Sequence, residues 1–266
     1  MRILVTGGSG HLGRHLLRRI GAEAEVIAPT HAELDICRPD AVSAALGVIR
    51  PDAVVHLAYR QTDWATNADG TANIARAAAD TGARLVHLST DVVFGDRREP
   101  WLEDETPCPM HEYGRSKVAA EDAVSALPGA VFVRTSLLYG DHDLARIQRD
   151  VADAVAGRSP MRFFTDELRC PIHTDDVAAA IVQLVGDRRD VSGPVHVAGP
   201  EVLSRAELAI CFARHLGLDE QAVPLASATE LGLAASRPLR VLLDSSAANR
   251  LGIITRPIGD SLGIDR

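Results

Sequence analysis

The first twenty residues restrict the possible folds more than any other stretch. Arg2-Ile3-Leu4-Val5-Thr6 is a short apolar run of strand type, and it meets Gly7-Gly8-Ser9-Gly10-His11-Leu12-Gly13. A helical pattern with apolar Leu12, Leu16, Leu17 and Ile20 follows. Strand, glycine turn and helix in that order are the setting a dinucleotide-binding fingerprint requires. Glycine at 7 permits the tight turn, glycine at 10 lets backbone approach a pyrophosphate, and glycine at 13 allows close packing of helix on strand. The helix start then presents free N–H groups and a partial positive charge to phosphates.

The same alternation continues. Glu25-Val26-Ile27-Ala28 reads as a second strand, residues 39–50 as a helix, and Ala53 to Ala58 as a buried parallel-type strand. An alanine-rich helix over 66–81, a strand at Arg84 to Ser89 and another at Ala130 to Arg134 extend it. This predicts an α/β fold: a doubly wound parallel sheet in three α/β/α layers. Beyond residue 140 the pattern loosens, with helices expected over 143–157, 177–185, 204–216 and 244–251 and a strand at Val195-His196-Val197. The expected division is a dinucleotide-binding domain over 1–140, to which 172–198 returns, and a small C-terminal α/β substrate lobe from 141–171 and 199–266. His56 and His87 fall in strand interiors and read as core histidines with one hydrogen bond each.

The chain also excludes classes. A formal net charge of −8, without any run of basic residues, argues against a nucleic-acid or anionic-membrane surface. No apolar stretch approaches the ~20 residues needed to span a bilayer. The opening strand runs straight into glycines and is no signal peptide. Cys37, Cys108, Cys170 and Cys211 lie far apart with no C-x-x-C pair, so they read as reduced thiols of a cytoplasmic protein, with no metal site expected. A homodimer is possible, as the commonest symmetric assembly.

Tyr113-Gly114-Arg115-Ser116-Lys117 contains the only lysine; the other 27 basic residues are arginine. A position that keeps lysine amid that bias needs a compact ammonium, where a wide guanidinium would not fit. Tyr113 lies four residues earlier, on the same face of a helix. A nearby positive charge is expected to lower the phenol from its usual pKa of about 10 towards the range of a general acid or base.

With Thr-Gly-x-x-Gly-x-x-Gly at the start, Ser89-Thr90-Asp91 ending a central strand and Tyr113/Lys117 on the next helix, the chain resembles the extended short-chain dehydrogenase/reductase family over nearly its whole length. Arg134-Thr135-Ser136-Leu137-Leu138-Tyr139-Gly140 and Ile172-His173-Thr174-Asp175-Asp176-Val177-Ala178 are similar to later segments of that family. Leu34-Asp35-Ile36, Leu88 to Asp91 with Phe94, and Asp166 to Pro171 are similar to its dTDP-4-dehydrorhamnose reductase-like branch. The resemblance implies a Rossmann fold and NADP or NAD as cofactor. Gly7, Gly10, His11, Leu12 and Gly13 would hold the pyrophosphate, Asp35 and Ile36 the adenine end, and Leu57, Ala58 and Tyr59 the cofactor ribose. Lys117 would bind the nicotinamide ribose, while Thr90 and Tyr113 would hydrogen-bond the substrate carbonyl. Thr90, Tyr113 and Lys117 are thus the expected catalytic set.

Several positions depart from that pattern. The acidic residue that marks NAD preference is replaced by Ala28-Pro29-Thr30-His31; Arg14 and His31 could face a 2′-phosphate, which leans the reading to NADPH. Asp35 could accept from an adenine amino group or serve as a cap or turn aspartate. Val92 and Leu137 stand where the branch has aromatic residues, and Arg169 and Cys170 replace small ones. Asp91 and Arg169 are candidate substrate contacts, Arg169 through a phosphate or carboxylate or else as a surface ion pair. The function these features imply is NAD(P)H-dependent reduction of a keto group on a small molecule, a nucleotide sugar or related carbonyl compound. A nucleotide-sugar epimerase or dehydratase is a variant of it, and a non-catalytic NAD(P)-binding sensor or regulatory subunit is the alternative.

Overall fold

The computed structural model describes residues 1–21 and 24–264. In chain order the first half runs β1 (Arg2–Thr6), α1 (His11–Arg19), β2 (Glu25–Ile27), α2 (Pro39–Ile49), β3 (Ala53–His56), α3 (Gly70–Thr81), β4 (Arg84–Thr90), α4 (Glu112–Ser125) and β5 (Val131–Thr135). The second half runs β6 (Leu138–Tyr139), α5 (Arg146–Val155), β7 (Phe163–Phe164), β8 (Leu168–Arg169), β9 (Ile172–His173) and α6 (Thr174–Val185). It ends with β10 (Gly193–His196), β11 (Leu203–Ser204), α7 (Arg205–His215), β12 (Leu225–Ala226), α8 (Ser246–Arg250) and α9 (Ile258–Leu262).

Six strands form one parallel sheet in the order β10-β5-β4-β3-β1-β2. The chain leaves β1 towards β2 on one side and returns to β3 on the other, so a crevice opens at the carboxyl ends of β1 and β3. Side chains along a strand alternate between faces. Ile3 and Val5 therefore join Leu12, Leu16 and Ile181 in one core layer under α1 and α6. Leu4 joins Leu46, Val54, Ile74 and Leu85 in the other, under α2 and α3. Burial of both sheet faces explains why these strands read as continuous apolar runs. A third cluster gathers Tyr139, Phe163, Phe212 and Leu262 outside the main sheet.

Two glycines make the opening turn possible. Gly7 has φ +73°, and a Cβ there would lie 2.7 Å from the Ala58 nitrogen. A Cβ on Gly13 would lie 2.3 Å from the Gly7 carbonyl oxygen, so α1 can approach the turn only without one. The helix expected from 66 begins as a π turn over Ala65–Asp69 before α3 proper. There the buried Asn67 holds the Arg60 backbone through both its amide groups and donates to the Ser116 hydroxyl at 3.1 Å. Among the described residues no helix is long and apolar enough to cross a membrane.

Candidate active site

The helix start at the glycine turn is chemically open. Gly10 provides no side-chain cap for α1, so its first N–H groups are available to an anion. Beside it a crevice of about 240 Å³ is lined by Gly7, Gly10, His31, Leu34, Ile36, Leu57, Ala58 and Tyr59. Leu12 turns its side chain into the core and contributes only backbone to this end. One Asp35 carboxylate oxygen accepts from the Cys37 N–H at 3.0 Å, as a turn aspartate does. Arg14 is not turned to the adenosine end, because its guanidinium pairs with Asp143 at 2.8 Å; of the two groups suggested for a 2′-phosphate, only His31 lines the crevice.

A second, larger cleft of about 470 Å³ adjoins it, lined by His11, Tyr59, Thr90, Tyr113, Lys117, Leu137, Arg146, Arg149 and Arg205 among others. Thr90, 23 residues before Tyr113 in sequence, therefore meets the Tyr113/Lys117 pair on one wall. Thr90 ends β4 and lines the cleft beside Tyr113, with its hydroxyl donating to Asp91 Oδ1 at 3.3 Å. His111 caps α4 by accepting from the Gly114 N–H at 3.1 Å, which fixes the helix start one residue before Tyr113. Gly114 lets that turn lie against the Val92 carbonyl, where a Cβ would come within 2.3 Å.

Lys117 is 2% exposed. Its Nζ donates to His87 Nε2 at 2.9 Å and to the Leu88 carbonyl at 2.7 Å, which leaves one donor of three. Burial pulls its pKa down to about 7, against a smaller raising effect of Glu121. His87 is held well below its ordinary value, first by burial and then by Lys117 and His56, so its ring accepts from the amine as a neutral imidazole. The expectation that Lys117 acidifies the phenol is not met. The Tyr113 pKa is raised, chiefly by burial and further by Tyr59 and Asp91, because the amine is turned into the sheet.

Asp91 and Arg169 stand behind the cleft wall. Asp91 is buried, accepts from the Ser136 hydroxyl at 2.7 Å, and has its pKa raised by desolvation. Arg169 is 5% exposed and donates to the Pro238 and Leu239 carbonyls. Its guanidinium also lies 3.8 Å from Asp91 and 3.3 Å from Glu167, so it is no surface pair but a buried cross-link that ties the second half to Asp91. The sequence reading missed Arg205, which lines the cleft instead, and Arg146 and Arg149, whose i,i+3 spacing on α5 was legible. It also missed two positioning histidines: His111, and His87 as the partner of Lys117. No signal in a buried strand pattern distinguishes His87 from any core histidine. Tyr59, 56% exposed with its ring 6.1 Å from that of Tyr113, supplies an aromatic face to the cleft in which Leu137 replaces one.

Fold and cleft together define a Rossmann-fold protein of the extended short-chain dehydrogenase/reductase class. Within that class the chain belongs to the RmlD substrate binding domain family, whose profile matches residues 1–260. It is 33% identical over 266 residues to a dTDP-4-dehydrorhamnose reductase of Mycolicibacterium smegmatis, across 95% of this chain and 80% of that one. A probable dTDP-4,6-dihydroxy-2-methyloxan-3-one 4-ketoreductase of Streptomyces antibioticus is 40% identical over 210 residues, 74% of this chain and 70% of the relative. The crystal structure of dTDP-4-dehydrorhamnose reductase from Bacillus anthracis in complex with NADP superposes with a TM-score of 0.87 at 27% identity, over 98% of this chain and 96% of that one.

Proposed function

We propose that this protein reduces the keto group of a dTDP-linked 4-keto sugar with NADPH or NADH, and that Thr90, Tyr113 and Lys117 carry the reaction. The observation behind this reading is the meeting of those three side chains on one wall of a cleft that continues into the glycine turn. The turn suits a dinucleotide: Gly7 and Gly13 leave room only for backbone, and α1 offers uncapped N–H groups to a pyrophosphate. Gly7, Gly10, Gly13 and the backbone of His11 and Leu12 would hold the phosphates, Ile36 the adenine side, and Leu57, Ala58 and Tyr59 the ribose. When bound, the nicotinamide supplies the hydride.

The protein's own part is proton delivery and charge placement. A phenol whose pKa is raised stays protonated at neutral pH, which is the form a reduction needs. An alkoxide is a far stronger base than a phenolate, so transfer from Tyr113 to the new alkoxide runs downhill. Thr90 donates a second hydrogen bond to the same oxygen, and the remaining Lys117 donor serves a ribose hydroxyl. Arg146, Arg149 and Arg205 bring positive charge to the cleft, which suits a diphosphate-linked substrate. The test is NADPH oxidation with a dTDP-4-keto-6-deoxy sugar. Tyr113→Phe should lower turnover by about 10²- to 10⁴-fold with cofactor affinity kept; equal turnover by the variant and the native protein would end the proposal.

A further inference from the structure

His11 and His15 stand on successive turns of α1, four residues apart, and their ring centroids are 5.0 Å from one another. Asp143, on the segment between β6 and α5, brings its Oδ2 to 3.7 Å from His11 Nδ1 and 3.6 Å from His15 Nε2. Both separations are too long for hydrogen bonds. Neither ring nitrogen has a hydrogen-bond partner among the described residues, and His15 is 2% exposed.

The outer partners fix where each ring carries its proton. Thr174 gives its single hydroxyl proton to the Tyr139 carbonyl at 2.8 Å. It must therefore accept from His11 Nε2–H, also at 2.8 Å, which leaves the lone pair of His11 on Nδ1. The Asp175 carboxylate accepts from His15 Nδ1–H at 2.5 Å, which leaves the lone pair of His15 on Nε2. Two imidazole lone pairs and one carboxylate oxygen thus converge, all within 4.8 Å of one another.

We propose that His11 Nδ1, His15 Nε2 and Asp143 Oδ2 bind one divalent transition metal ion of borderline softness, such as Zn²⁺ or Co²⁺. Two imidazoles and a carboxylate favour such ions over Mg²⁺ or Ca²⁺, which take oxygen ligands. Ligands about 2.0–2.1 Å from a tetrahedral ion stand about 3.3 Å apart, so the spacings to Asp143 need only a small contraction. Asp175 behind His15 and Thr174 behind His11 are the second-shell acceptors that orient metal-binding imidazoles. Arg14 shares the Asp143 carboxylate through both oxygens, at 2.8 and 3.0 Å. Its charge opposes a cation, and this sets the site towards moderate affinity. A bound ion would clip α1, beside the glycine turn, to the segment that leads into Arg146 and Arg149. The site thereby ties the two ends of the cleft together.

Untagged, chelator-stripped full-length protein titrated with Co²⁺ should take up one equivalent per chain, with visible d–d absorption that Zn²⁺ abolishes and Mg²⁺ does not. Asp175→Asn, with Asp143 and both histidines kept, should weaken binding by about 10- to 100-fold. His11→Gln and Asp143→Asn, which each remove a ligand, should weaken it at least as much. No Co²⁺ uptake by the native protein would overturn the proposal. So would a thiolate charge-transfer band, which would place the ion on a cysteine, or an affinity that neither His11→Gln nor Asp143→Asn changes.

Discussion

An amine enclosed by a sheet carries its surroundings into the stability of the whole chain. Folded Lys117 has its pKa near 7, whereas an unfolded lysine titrates at about 10.4. Between those values the unfolded chain binds more protons, so the Lys117 contribution to stability rises with pH; below about 7 both states are protonated and the cost of burying the charge is constant. Urea denaturation of native protein and Lys117→Met should therefore show a difference that shifts in favour of the native protein from about pH 7 upward. Parallel pH profiles would refute the shifted amine. At this scale the sequence was half legible. Tyr113 and Lys117 stood out because their spacing and the bias against lysine are visible without coordinates. The acidified phenol did not follow, because i,i+4 spacing says which face two residues share and nothing about where an ammonium finds its acceptors. Arg169 was misplaced for a related reason: only the fold brings the carbonyls of Pro238 and Leu239 to it. His11 and His15 form an H-x-x-x-H that the sequence reading passed over, and their third partner, Asp143, lies over a hundred residues away.

Helix α4 is tied to the sheet by charge as well as by apolar contact. Arg134 on β5 donates to both Glu121 oxygens, at 2.8 Å to Oε2 and 3.1 Å to Oε1, and Ser89 on β4 donates to the same carboxylate. Both ionic side chains are under 5% exposed. Removing one partner of such a pair leaves an uncompensated buried charge, so Glu121→Ala should cost about 3–5 kcal/mol, read from the urea midpoint. A joint Glu121→Met/Arg134→Met replacement should restore much of that loss; a Glu121→Ala effect below about 1 kcal/mol would contradict the account. The elements themselves were well marked where apolar periodicity runs for a turn or more. The helix expected from 177 starts at Thr174 because the His173 ring caps it at the Asp175 N–H, 3.2 Å away. The paired strands β7 with β12 and β8 with β11 are two residues long. No pattern of period two can show in so few residues, and their pairing is a product of the tertiary fold.

Across the whole molecule, the doubly wound sheet was legible because alternating apolar runs and amphipathic helices repeat often enough to outweigh local errors. The second half was less so, since its cluster around Tyr139, Phe163 and Phe212 joins segments far apart in sequence. The enclosure of Lys117 has a consequence at this scale. Since every other basic side chain is arginine, the folded protein offers solvent no nucleophilic side-chain amine. Brief exposure to an acylating reagent, followed by peptide mass spectrometry, should find Lys117 unmodified in native buffer and acylated once denaturant opens the sheet; rapid native acylation would mean that the strand and helix around it part far more readily than their packing implies. That one residue is therefore a chemical clock, and the rate at which it ticks reports how often the centre of the fold breathes.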